Sequence, residues 1–135
     1  MYRMAEISTG KHMIADLHRV RNIDRLESIE SIRLLFDRLC DKHHFQVLGK
    51  MQHQFDPQGI SVIYMLSESH ISIHTFPEKH YFALDIYTCR EYTDDSVYLN
   101  MYQEIVKWFD CDYGKGPLIV NRGDSVSDFN QLSYS

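Results

Sequence analysis

The sequence predicts an α+β fold, a two-layer sandwich in which two helices cover one face of a mainly antiparallel sheet. Three observations lead there. In two stretches, about 26–40 and 97–109, apolar residues recur at intervals of three and four, the period of an amphipathic helix. Between them lie short runs that alternate or are almost wholly apolar, bounded by turn residues. The links between the middle runs are too short to hold a crossover helix, so neighbouring strands must pair antiparallel.

Taken in order, residues 1–9 form a loose lead-in, and His12 to Val20 carries Ile14, Ala15 and Leu17 as a first strand. Asn22 or Asp24 offers an N-cap for a helix over Arg25 to Lys42. Its stripe is Leu26, Ile29, Ile32, Leu35, Phe36, Leu39 and Cys40, and Glu27, Glu30, Arg33, Asp37 and Asp41 face water. Cys40 on that stripe fills core. Phe45 to Gln52 is a second strand, and Asp56-Pro57-Gln58-Gly59 turns the chain. Ile60 to Leu66 is nearly all apolar, as a central strand would be. His70 to Phe76 alternates, with Ile71 and Ile73 on one face and His70, Ser72 and His74 on the other. After a turn at 77–80, Tyr81 to Thr88 points Phe82, Leu84 and Ile86 inward. Asp94-Asp95 caps the second helix, which runs to about Asp110, and 118–120 is a last strand. The serine-rich stretch 124–135 reads as a flexible tail, so the whole chain is one domain. Two helices cover one sheet face only, and the other must be left polar or be covered by something else.

Composition narrows the function classes. Nineteen acids against fourteen Lys and Arg give a net charge of −5, which argues against a nucleic-acid binder. No run approaches the ~18 apolar residues of a membrane helix. The start lacks the apolar segment of a secretory signal, and the three cysteines form no CxxC pair. A reducing cytoplasm is the expected setting. His70 and His74 have a spacing that would chelate a metal on a helix but not on a strand, so no metal is expected.

The densest set of reactive side chains lies in FDPQGISVIYMLSESHISIHTFPEKHYFALDIYTC, Phe55 to Cys89. Its core, ESHISIHTFPE at Glu68 to Glu78, resembles the small prokaryotic type of S-adenosylmethionine decarboxylase proenzyme. Gly10-Lys11-His12 and Arg122-Gly123 extend the likeness over roughly residues 10–123. The resemblance implies a dimerising two-layer sandwich with active sites at or near the interface between two copies, a homodimer. It also implies self-cleavage between Glu68 and Ser69 into a β chain of 1–68 and an α chain of 69–135. The Ser69 hydroxyl would attack the Glu68 carbonyl, moving the acyl group from nitrogen to oxygen. Loss of the Ser69 Cα proton would then expel the Glu68 carboxylate, and the dehydroalanine left behind would take up water and lose ammonia to become a pyruvoyl group, whose ketone forms a Schiff base with the substrate amine.

By the same resemblance His74 is the base for that proton, a task suited to an imidazole with an ordinary pKa of ~6.5. Ser61 hydrogen-bonds the reacting carbonyl. Cys89 returns a proton to the substrate carbon. Phe55 stacks on adenine, and Glu78 holds the ribose hydroxyls. On a straight strand Ser69 and His74 face opposite ways, so their direct contact requires a bend at Ser69. Three positions depart from the family: Phe76 where Trp is frequent, Arg90 where glycine is usual, and His18-Arg19-Val20 at the end of the first strand. Arg90 adds a cation beside the expected proton donor. The expected activity is decarboxylation of S-adenosylmethionine for spermidine-type polyamine synthesis. The alternative is the same chemistry on ornithine or arginine, with Asp56 or Asp85 recruited for the distal cation.

Overall fold

The computed structural model describes residues 10–123; the lead-in at 1–9 and the expected tail at 124–135 lie outside them. The chain runs β1 (Gly10–Leu17), α1 (Ile23–Leu26), α2 (Ile29–Lys42), β2 (Val47–Gln54), β3 (Ile60–Leu66), β4 (Ser69–Phe76), a 3-10 turn at Pro77–Lys79, β5 (Tyr81–Thr88), α3 (Ser96–Phe109) and β6 (Leu118–Arg122). The strands form one six-stranded sheet in the order β2-β3-β4-β5-β1-β6, and each neighbouring pair is antiparallel. That is the expected α+β sandwich. β3 and β5 fall on the bounds read from the sequence.

The helix expected over Arg25 to Lys42 is instead two. α1 is a single turn capped by Asn22, whose side chain accepts from Arg25 N–H. The chain breaks at Glu27 and restarts where the Ser28 hydroxyl accepts from Ser31 N–H at 3.1 Å. A serine that satisfies an orphan amide is a stronger boundary than the continuing apolar period. α2 then buries Ile32, Leu35, Phe36, Leu39 and Cys40, and α3 buries Tyr98, Met101, Tyr102, Ile105 and Phe109. Both stripes lie on Met13, Val62, Ile71, Ile73, Leu84 and Ile86 from the inward face of the sheet. Arg25 fastens α1 to α3, with its guanidinium 4.0 Å from the centre of the Trp108 ring and a donor on the Trp108 carbonyl at 2.9 Å.

The opposite face has no helix on it among the described residues. It mixes exposed apolar side chains such as Ile14, Ile63, Met65 and Leu118 with a polar patch along β4, β5 and β1. No helix among the described residues is long and apolar enough to cross a membrane.

Candidate functional site

The Glu68–Ser69 link sits at the tip of a tight hairpin. Leu66 of β3 pairs directly with Ser69 of β4, so only Ser67 and Glu68 make the turn. Glu68 has φ 62, a left-handed conformation that costs a residue other than glycine roughly 1–2 kcal/mol. Four other such residues, Arg19, His44, His80 and Asp110, occupy turns and ends elsewhere, so the conformation marks a sharp reversal rather than chemistry by itself. The Glu68 carbonyl accepts from the backbone N–H of Cys89 at 3.1 Å, which ties the hairpin tip to the residue expected to deliver the proton. Gly10 of β1 packs closely on the same end of β5: a side chain there would collide with the Thr88 carbonyl, and its φ of 142 suits glycine.

Ser69 is turned to the helix side with Ile71 and Ile73 and is buried. Across the sheet it pairs with Thr88, whose hydroxyl bonds that of Tyr98 at 2.6 Å. Among the described residues the Ser69 hydroxyl is one of three buried side-chain polar atoms without a hydrogen-bond partner, with His43 Nε2 and Tyr92 OH. A buried hydroxyl left unsatisfied costs about 1–3 kcal/mol, so Ser69 gains the fold nothing through its side chain.

The remaining family positions gather elsewhere. Ser61 pairs with His74 across β3 and β4, and their side chains meet at 2.6 Å, Oγ to Nδ1. Phe55 stands at the β2–β3 turn, where its N–H donates to the Gly59 carbonyl. It is 49% exposed, so it is not a core ring. Glu78 is exposed in the 3-10 turn after β4. Phe76 lies at this end too, stacked on Tyr81 at 5.4 Å. All of these sit at the end of the sheet opposite to Ser69 and Cys89. β4 pairs without a break with both neighbours from Ser69 to His74, and five residues of strand span ~17 Å. The expected bend at Ser69 is absent from the structure, and within one chain His74 does not reach Ser69.

Arg90 corrects another expectation. Its guanidinium donates to the carbonyls of His43, at 2.6 Å, and His44, and lies over the Phe45 ring at 4.2 Å. The charge ties the end of α2 to the sheet.

Reading single runs missed a polar cluster on the helix-free face. Asp85 on β5 accepts from His70 Nε2 at 2.7 Å, Ser72 Oγ at 2.7 Å and His12 Nε2 at 3.2 Å. Burial would raise the Asp85 carboxyl, but the hydrogen bonds from His70, Ser72 and His12 overcome it and hold the group well below the usual carboxylate range. Asp85 is therefore already occupied by three donors, which leaves little for the distal cation of ornithine or arginine. One donor atom each from His12, His70 and Asp85 lie within 4.8 Å of one another. Arg122 donates to His12 Nδ1 at 3.0 Å, so the neutral ring carries its proton on Nε2, the atom a metal would need. The arrangement is a hydrogen-bonded carboxylate. The alternation of polar residues in SHISIHT and ALDIYT hinted at it, but only the register, Ser72 against Asp85 and His70 against Tyr87, assembles it.

Comparison with known proteins follows the same residues. The family model for S-adenosylmethionine decarboxylase matches residues 11–113. An S-adenosylmethionine decarboxylase proenzyme of Sulfurihydrogenibium sp. is 38% identical over 84 residues, covering 62% of each chain; the alignment thus spans less than two thirds of that relative. S-adenosylmethionine decarboxylase proenzyme 2 of Halalkalibacterium halodurans is 38% identical over 98 residues, 73% of this chain and 76% of that one. The crystal structure of the adenosylmethionine decarboxylase from Aquifex aeolicus superposes with a TM-score of 0.70 at 27% identity, covering 88% of this chain and 92% of the other.

Proposed function

The chain belongs to the S-adenosylmethionine decarboxylase family, and we propose that it is a self-processing, pyruvoyl-dependent decarboxylase of S-adenosylmethionine, working as a homodimer. The observation that carries the reading is the Glu68–Ser69 link: a left-handed hairpin tip with its carbonyl on the Cys89 amide and a buried, unpartnered hydroxyl one residue on. The Ser69 hydroxyl displaces its own nitrogen from the Glu68 carbonyl carbon. Charge builds on the carbonyl oxygen as this happens, and the Cys89 N–H is already aimed at it. His74 takes the Ser69 Cα proton, and Ser61, bonded to His74, orients that ring.

The residue that would become the pyruvoyl group lies where nothing else satisfies it, so the surroundings fit the group. Once formed, it supplies an electron-withdrawing ketone for decarboxylation. Cys89 delivers a proton to the substrate carbon, while Phe55 and Glu78 hold the adenosyl end. The names of the relatives favour S-adenosylmethionine over ornithine or arginine, and so does the exposed ring of Phe55.

The distance between the two ends of the sheet supports a shared site. A two-fold axis between two helix-free faces, crossing the strands, would bring Ser69 and Cys89 of one copy to Phe55, Ser61, His74 and Glu78 of the other. Closed two-fold pairing is the commonest oligomer, and the exposed apolar side chains on that face would gain cover.

The intact mass of purified protein tests the reading. Two fragments divided between Glu68 and Ser69 are expected, with Ser69→Ala remaining whole. Carbon dioxide release should follow S-adenosylmethionine and not ornithine or arginine. A wild-type chain that stays uncut, or turnover of the wrong amino acid, removes it.

A further inference from the structure

We propose that Tyr87 is a positioning residue for Cys89, accepting a hydrogen bond from the resting thiol and donating one to the sulfur once its proton has gone. The inference rests on the reading above that Cys89 delivers the proton. Cys89 Sγ lies 3.7 Å from the Tyr87 hydroxyl, within reach of a sulfur hydrogen bond.

The Tyr87 ring is held by the polar cluster, which otherwise has no part in the chemistry. The His12 ring meets it edge-on, with centroids 5.8 Å apart. The His70 ring lies tilted against it at 5.9 Å. Both imidazoles are fixed at their far atoms by the same Asp85 oxygen, and Ser72 fixes the other oxygen. Arg122 holds His12 from behind and sets its guanidinium 5.8 Å from the Tyr87 ring centre. The cluster thus acts as a rack that fixes the phenol ring beside the Cys89 sulfur. Cys89 is steadied separately, through its N–H on the Glu68 carbonyl.

In the proton delivery the S–H bond breaks, a C–H bond forms on the substrate, and the electron pair stays on sulfur. The sulfur is then an anion, and the phenol O–H can swing to donate to it. Such a charge-assisted hydrogen bond is about twice as strong as the neutral one it replaces. The contact therefore strengthens as the proton leaves, which is the condition for lowering a barrier rather than merely binding. Solvent reprotonates the sulfur before the next cycle.

The test uses the uncut Ser69→Ala chain, so it does not depend on activity. Iodoacetamide alkylation of Cys89 is followed against pH. Cys40 and Cys111 are 3% and 5% exposed, and burial pushes both thiols up to about 11, so the reagent reports on Cys89. Tyr87→Phe is expected to move the alkylation midpoint up, because the sulfur anion loses a donor. Placing 2-fluorotyrosine at position 87, with its fluorine meta to the hydroxyl, keeps the ring and makes the hydroxyl a slightly better donor that stays largely protonated while the thiol titrates, and should move the midpoint down. In the cleavable chain, Tyr87→Phe should be cut normally yet lose roughly tenfold in kcat with KM little changed. Midpoints that stay with the wild type in both variants overturn the proposal. Should Tyr87→Phe not fold, the 2-fluorotyrosine chain decides alone, and no downward shift overturns it. Because alkylation needs neither cleavage nor substrate, failure here and failure of the decarboxylase reading are separately visible.

Discussion

Asp85 shows how much one side chain can organise. Its carboxylate takes three donors from β4 and β1, so it ties the middle of the sheet together on the face without helices. Because folding lowers its pKa, its contribution to stability is present above the ordinary carboxylate pKa of ~3.9 and drains away as pH falls below that value. Asp85→Asn should therefore melt lower than wild type at pH 7. The gap between the two melting temperatures should narrow as pH drops from about 5 towards 3. A gap independent of pH would mean that Asp85 acts by packing and not by charge. Glu68, Ser69 and Cys89 were legible as a motif, but their mutual geometry was not. The N–H of Cys89 on the Glu68 carbonyl is a cross-strand bond, set by a register that no local pattern encodes.

Among the elements, β3 and β5 could be read to the residue because their runs are bounded on both sides by turn residues. The helix pair could not. Leu26 and Ile29 continue the apolar period of α2, and the period hid the break that Ser28 makes by capping Ser31. Ser28→Ala should cost about 1 kcal/mol, a fall of a few degrees in melting temperature, and leave chain cutting untouched. A variant as stable as wild type would mean that the break is held by the Arg25–Trp108 contact alone. The strand termini show the same limit. The first strand was expected over His12 to Val20 but occupies Gly10–Leu17, because Gly10 pairs with Arg122 and Arg19 turns left-handed at φ 56. The second was expected over Phe45 to Gln52 and runs instead over Val47–Gln54, with Phe45 buried beneath Arg90.

For the molecule as a whole, the two-ended distribution of site residues makes a prediction that one chain cannot satisfy. If Ser69 is processed by the His74 of a second copy, His74→Ala alone should remain uncut. Co-expressed with Ser69→Ala, the His74→Ala chain should be split in a fraction of the pairs, because one of the two shared sites then keeps both residues. Mass spectrometry of the mixture reads this directly. If the His74→Ala chain stays whole in the mixture, processing happens within a single chain and β4 must bend in a way that its straight pairing with β3 and β5 does not suggest. This division of labour was beyond the reach of the sequence. It depends on strand length in ångströms, and the spacing of five residues says nothing of distance until the backbone is known to be extended.

The straightness of β4 has one more consequence. On the proposed reading, in which His74 serves the Glu68–Ser69 bond, a chain newly released from synthesis would carry the two out of each other's reach and alone would be inert towards itself. Maturation then waits on an encounter between molecules. At low abundance its rate climbs with the square of concentration, and a cell making little of this polypeptide would keep it dormant without any inhibitor.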